Sequence, residues 1–131
     1  MDMKFILPDT NVLILGFKDK APYNSFLRKI IKEKRLMLSA VVVAEYLVGV
    51  TDDQEKLFNS LIAQFPVLPI DLPVAQLAAS YRRTYIKKGK KIGLPDCLIA
   101  ATCKIYDTVL ATLNPSDYPM KEIEIYKFLK H

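Results

Sequence analysis

Short apolar runs alternate with stretches of helical periodicity along this chain, and that alternation constrains the fold more than any other feature. Strands separated by helices pair most readily through right-handed parallel crossovers, so the pattern predicts an α/β sandwich with a largely parallel sheet and helices on both faces. Phe5, Ile6 and Leu7, within Lys4 to Leu7, predict a short strand buried on both sides and ended by Pro8. Tyr23, Phe26, Leu27, Ile30 and Ile31 recur at helical spacing between Pro22 and Lys34, leaving Arg28, Lys29 and Lys32 for solvent.

Leu36 to Leu38 predicts a second strand, and Ser39 is placed to cap a helix that reaches Gly49. Asp52 or Asp53 is the expected cap of a helix carrying Leu57, Phe58, Leu61, Ile62 and Phe65, which Pro66 stops. Val67 to Ile70 follows as a strand, with Pro69 favouring an edge position. Asp71 opens a longer helix through Val74, Leu77, Ala78, Tyr81 and Tyr85, with Pro73 in its first turn and Gly89 past its end. Pro95 starts another helix, Thr108 to Thr112 predicts a strand, Asn114 to Asp117 a turn, and Glu124 to Tyr126 a last strand before a ragged end at Lys127 to Lys130.

At 131 residues and 51% hydrophobic, the chain fits a single domain over residues 1–131, without repeats or low-complexity tracts. No apolar run reaches the roughly 18 residues of a membrane span, and Pro8 and Asp9 interrupt the start before a signal-peptide core forms. Cys97 and Cys103 are too few for a disulfide framework, and on one helix their spacing directs them to different faces. The expectation is a cytoplasmic protein with no membrane partner. A formal charge of +5 is compatible with a polyanionic ligand but does not select one.

Four carboxylates stand at unusual places: Asp9 after the first strand, Glu45 among aliphatic residues, Asp96 in the first turn of a helix, and Asp117 after a late strand. Taken singly, Asp96 is an ordinary helix N-terminal charge and Glu45 points to water. In an open parallel sheet, however, residues after the strands meet at one end, and a pocket of like charges there calls for a cation. Oxygen ligands select a hard ion, so Mg²⁺ or Mn²⁺ is the expected cofactor. Such an ion polarises a phosphate oxygen and acidifies a water, which is phosphodiesterase chemistry. The single histidine, His131, lies at the terminus and argues against histidine-based cleavage. Asn11, Thr10, Ser39 and Thr112 are positioned either to orient water, metal or phosphate or to make turn and cap hydrogen bonds.

The segments LPDTNVLI, SAVVVAEYLVG, LPDCLIAATC and TLNPSDY, in this order over nearly the whole chain, resemble a PIN domain, and more narrowly the VapC toxin ribonucleases of toxin and antitoxin pairs. The resemblance implies a parallel sheet of order 3-2-1-4-5 and metal-dependent cleavage of single-stranded or looped RNA. It assigns Asp9, Glu45 and Asp96 as central metal ligands, Asp117 as the fourth acid, and Asn11 and Thr112 as supporting residues, with Asn114 an alternative to Asp117. It also implies a homodimer and a small antitoxin protein as partner. Tyr46, Phe58, Leu61 and Ile62 serve either a protein-binding surface or, at their helical spacing, the internal core.

Between Tyr81 and Lys91, Arg82, Arg83, Lys87, Lys88, Lys90 and Lys91 occur without an intervening acid, immediately before Asp96. This segment, bent at Gly89 and Gly93, is expected to guide a phosphate backbone toward the acids, the alternative being a solvated helix end. Tyr81 and Tyr85 are either structural or base-stacking groups. The expected function is therefore a metal-dependent endoribonuclease, probed against a structure-specific DNA nuclease and a catalytically silent RNA-binding or scaffold protein. A phosphate-receiver reading ranks below these, because the late strand is not followed by the lysine such a site uses.

Overall fold

Residues 4–128 are described by the computed structural model. Strand β1 (Ile6–Pro8) leads directly into helix α1 (Thr10–Phe17), followed by α2 (Tyr23–Lys32), β2 (Leu38–Ser39), α3 (Ala40–Val48) and α4 (Asp52–Ile62). The second half runs β3 (Val67–Leu68), α5 (Leu72–Lys87), α6 (Leu94–Ile105), β4 (Val109–Ala111), a single 3-10 turn (Pro115–Asp117) and β5 (Ile125–Tyr126).

All strand pairs are parallel. Ile6, Leu7 and Pro8 pair with Val109, Leu110 and Ala111, and Leu110 and Ala111 pair in turn with Ile125 and Tyr126. Leu38 and Ser39 pair with Val67 and Leu68. Successive strand residues point to opposite faces, and Ile6, Leu7, Val109, Leu110 and Ala111 are all buried, so helices cover the central sheet on both sides as expected.

The single ladder of order 3-2-1-4-5 is not formed. The strands make a three-stranded sheet β1-β4-β5 and a two-stranded sheet β2-β3, joined by one isolated parallel bridge between Ile6 and Leu36. At that bridge Ile6 N donates to Arg35 O at 2.9 Å and Met37 N to Ile6 O at 3.0 Å. The next rung requires an N–H at position 8 for the Met37 carbonyl, and Pro8 has none. The ladder therefore stops one rung after it starts, while β1 continues to pair on its other edge.

Helix α1 is a finding that periodicity missed. Its sequence TNVLILGF is apolar nearly all round, leaving no polar face to mark a helix, and the chain passes from strand to helix with no loop. Gly16 lets α1 approach α2 closely: a Cβ there would lie 2.2 Å from Leu27 Cδ1 and 2.8 Å from its Cγ. The cap of α4 is Thr51 rather than Asp52 or Asp53. Thr51 and Gln54 form a reciprocal capping box that the aspartates, inside the first turn, support electrostatically. Ser39 and Asp71 cap α3 and α5 as expected, through Val42 N and Val74 N respectively.

Helix α6 is buried on most sides through Cys97, Ile99, Ala100, Ala101, Thr102 and Cys103, and it packs against both α5 and α3. Both cysteines are free thiols inside the core, and burial pushes Cys103 up to about 12. The first two strands are shifted toward the C-terminus of their apolar runs, β1 taking in Pro8 as its last paired residue and β2 taking in Ser39 while Leu36 makes only the isolated bridge; the later strands are one or two residues shorter than expected, with Pro69 and Ile70 outside β3. No helix among the described residues is long and apolar enough to cross a membrane. His131 and the end of the expected ragged tail, Leu129 and Lys130, lie outside the described residues.

Candidate active site

The carboxyl ends of β1 and β4 lie side by side, and the residues that leave them define the site. Asp9 is fixed at four points. Its backbone N–H donates to Ala111 O at 2.8 Å, and its Oδ1 accepts from Thr10 N at 2.7 Å as the cap of α1. Its Oδ2 accepts from Thr112 Oγ1 at 3.1 Å and from the Tyr118 hydroxyl at 2.8 Å. The Thr112 hydroxyl, buried just past β4, also accepts from Asn114 N at 3.1 Å, which ties the loop after β4 to Asp9.

Asp96 enters from the first turn of α6, half-buried, with its Oδ1 3.2 Å from the same Tyr118 hydroxyl. Burial, first, and the charge of Asp9, second, raise its carboxyl above the usual aspartate range. Asp117 and Glu45 add to that rise, and the hydrogen bond from Tyr118 opposes it. Asp9, Asp117 and Glu45 therefore all act on Asp96 as like charges in one electrostatic neighbourhood. Tyr118 itself is buried, and burial together with the charges of Asp9 and Asp96 keeps its phenol protonated and donating.

Glu45 projects exposed from α3 and is joined to the β1 end by Thr10 Oγ1, which donates to Glu45 Oε1 at 2.8 Å. Asp117 ends the 3-10 turn, exposed, and lines with Asp96 a cleft of about 260 Å³ whose other walls are Lys90, Lys91, Ile92, Gly93 and Ser116. Asn11 and Asn114 are exposed, Asn11 on the second position of α1 and Asn114 before the 3-10 turn. The site thus brings Asp9 and Asp96 together through one hydroxyl, with Glu45 and Asp117 on its flanks.

Among the described residues, no three side chains of the His, Cys, Asp or Glu type converge closely enough to form a ready-made metal cage. The donor set is nonetheless all oxygen and centred on two facing carboxylates. That suits an ion which keeps several waters and takes one or two carboxylates directly, as Mg²⁺ does. The residues fit a hydrated hard cation and do not fit a closed site for a softer metal.

Arg82, Arg83, Lys87, Lys88, Lys90 and Lys91 are all exposed, and the last two reach the cleft beside Asp96. Gly89 makes the bend at φ 78, a conformation that favours glycine, whereas Gly93 has ordinary extended backbone and serves as the cap position of α6. Tyr81 is buried with its hydroxyl on Glu122, so it is structural. Tyr85 is half-buried, with Lys88 Nζ 5.3 Å from its ring centre.

On the far side of Glu45 an apolar groove of about 290 Å³ runs between α1, α3 and α4, lined by Phe17, Tyr46, Gln54, Leu57, Phe58 and Leu61. Tyr46 and Phe58 are core residues at its floor, while Leu57, 74% exposed, stands on its rim. Phe17, Tyr46 and Gln54 also line the adjoining hollow that contains Glu45, so the groove opens onto that one acid.

This fold and this acidic end of a parallel sheet define the class: the chain belongs to the PIN domain family, whose pattern matches residues 6–119. Within that family its relatives include a ribonuclease and a toxin. It is 35% identical over 117 residues to ribonuclease VapC10 of Mycobacterium tuberculosis, covering 89% of this chain and 88% of that protein. It is 30% identical over 134 residues to toxin FitB of Neisseria gonorrhoeae, covering 92% and 96% respectively. The crystal structure of FitAcB from Neisseria gonorrhoeae superposes with a TM-score of 0.77 at 27% identity, over 94% of this chain and 97% of that one.

Tyr118 is the site residue that sequence reasoning missed. Its neighbours in TLNPSDY drew notice as polar or acidic groups, whereas a tyrosine beside a proline in an irregular segment carries no local sign of where its hydroxyl goes.

Proposed function

We propose that this protein is a divalent-metal-dependent endoribonuclease that hydrolyses RNA phosphodiester bonds, and that it is the toxin of a toxin and antitoxin pair. The observation that carries the reading is the meeting of Asp9 and Asp96, from distant parts of the chain, at the carboxyl end of the sheet beside the lysines of the cleft.

Asp9 and Asp96 would hold a Mg²⁺ or Mn²⁺ ion, with Glu45 and Asp117 engaging it directly or through water. When bound, such an ion supplies Lewis-acid polarisation of the phosphate and lowers the pKa of a water. The protein's own residues supply the rest. Thr10 and Thr112 hold the oxygens of Glu45 and Asp9 in fixed orientations, which matters because acids that must turn to engage substrate lose rate. Lys90 and Lys91 sit where the strand flanking the cleaved bond would pass, and their charge offsets its phosphates without reading bases. No covalent protein intermediate is needed.

The antitoxin is assigned to the apolar groove of Phe17, Tyr46, Leu57, Phe58 and Leu61. Because the groove adjoins the hollow that contains Glu45, a peptide seated there would extend toward that one acid. The likeness to toxin FitB supports the toxin reading on which this partner depends.

The deciding experiment incubates the folded protein with panels of structured and single-stranded RNA and matched DNA, with Mn²⁺ or with EDTA. RNA is expected to be cut only with metal, and Asp9→Asn to slow cleavage by about 100-fold or more, as loss of a charge at a metal-assisted centre does. Cleavage confined to DNA would move the assignment to a DNA nuclease. RNA binding without product, unchanged in Asp9→Asn, would mark a silent binding protein.

A further inference from the structure

Tyr118 sits immediately after the 3-10 turn, 3% exposed as a residue, and its hydroxyl faces two carboxylates from different parts of the fold. Asp9 Oδ2, at the end of β1, lies 2.8 Å away, and Asp96 Oδ1, on α6, lies 3.2 Å away. A buried phenol needs one acceptor to be satisfied. Here a single oxygen atom spans a like-charged pair, and Thr112 Oγ1 adds a second donor to the same Asp9 oxygen. The phenol has one proton, shared between the two carboxylates and weighted to the nearer Asp9, while the threonine gives Asp9 a full hydrogen bond; the arrangement ties the orientation of both acids to one oxygen atom and offsets part of the repulsion between them.

We infer that Tyr118 is a positioning residue of the cation site, presenting Asp9 and Asp96 at a fixed mutual spacing so that a hydrated divalent ion meets a preformed pair. The inference rests on the metal-centre reading above. Within the same chain there is a matched control: Tyr81 is also buried and also donates to a carboxylate, Glu122, but away from the site.

The test is calorimetric titration of Mn²⁺ into the full-length wild type, Tyr118→Phe and Tyr81→Phe, each checked for fold by circular dichroism. Tyr118→Phe is expected to bind Mn²⁺ about tenfold more weakly, within the range seen when a group orienting a metal ligand is removed. Tyr81→Phe should stay within about twofold of wild type, the effect of deleting a hydroxyl that orients no ligand. Cleavage by Tyr118→Phe should then recover toward the wild-type rate at saturating metal, separating positioning from chemistry. A second measurement needs no variant: in wild type labelled at the tyrosine Cζ carbons, added Mg²⁺ should shift the Tyr118 signal and leave that of Tyr81 in place. Wild type that binds Mn²⁺ alongside a Tyr118→Phe titration superposing on it, or a Tyr118 signal indifferent to Mg²⁺, overturns the positioning role alone. Absence of Mn²⁺ binding by wild type overturns the metal-centre reading and this inference together.

Discussion

At the scale of single residues, the site concentrates like charge in a partly buried place, and the fold bears the consequence. Burial and the charge of Asp9 raise the Asp96 carboxyl above its unfolded value, so folding favours its protonated form. That contribution is fully present below the unfolded pKa, about 4, and is lost as pH rises through the higher folded value. Ionised Asp96 therefore destabilises the metal-free protein at neutral pH. Asp96→Asn stays neutral and keeps an acceptor for Tyr118, so in EDTA at pH 7 it is expected to be more stable than wild type by about 1 kcal/mol, typical of relieving strain at a functional site. Denaturant midpoints measured from pH 7 to pH 4 should show the advantage shrinking as wild-type Asp96 takes up its proton. An advantage that persists at pH 4 would argue against this electrostatic origin. Asp9, Glu45 and Asp96 were legible as candidates because each is an acid at a locally telling position, after a strand, inside an aliphatic helix or in a helix's first turn. Tyr118 was not, because its partners stand 109 and 22 residues away along the chain.

The helical elements differ in how firmly they are held, and the reasons are visible in their small residues. Helices α1 and α2 meet at Gly16, where Leu27 fills the space a side chain would take, and Leu27 is 2% exposed with no room to withdraw. Gly16→Ala gains helix propensity but forces the two helices apart, and overpacking of this kind costs about 1–3 kcal/mol. Equilibrium unfolding should show that loss; a stabilised variant would mean that Leu27 repacks freely. Helix α4 contrasts with this, since Phe58 is its one buried residue, and Leu57 and Leu61 stand open to different degrees along the groove. Its amphipathic stripe was readable from spacing, but which part of the stripe is core and which part rim depends on the angle at which α4 lies on α1 and α3. The same limit hid α1, where uniform apolarity leaves a period nothing to show, and it placed the α4 cap one or two residues late, since Thr51, Asp52 and Asp53 are all good capping types.

Across the whole molecule, a basic flank and an acidic centre adjoin in one cleft. Lys87 and Lys88 are exposed at the end of α5, and Lys90 and Lys91, two to four residues on, line the cleft with Asp96 and Asp117. Replacing all four with Gln is expected to weaken RNA binding and to reduce the slope of log affinity against log salt by up to about 0.7 for each phosphate that is no longer neutralised. Fluorescence titrations with a single-stranded RNA from low to moderate salt measure that slope, and an unchanged one would place the RNA elsewhere. The α/β class, the helices on both faces and the acids after the strands follow from the sequence alone, because periodicity and strand-end position are properties of neighbouring residues. The division of the sheet at Pro8 was open to sequence only in hindsight: a missing N–H matters only once a partner strand is known to lie beside it. Tertiary structure alone decided that Asp9 and Asp96 share one phenol, that Lys90 and Lys91 reach the same cleft, and that the groove opens onto Glu45. Those are distances between segments far apart in the chain, and they are fixed by packing, which no local pattern encodes.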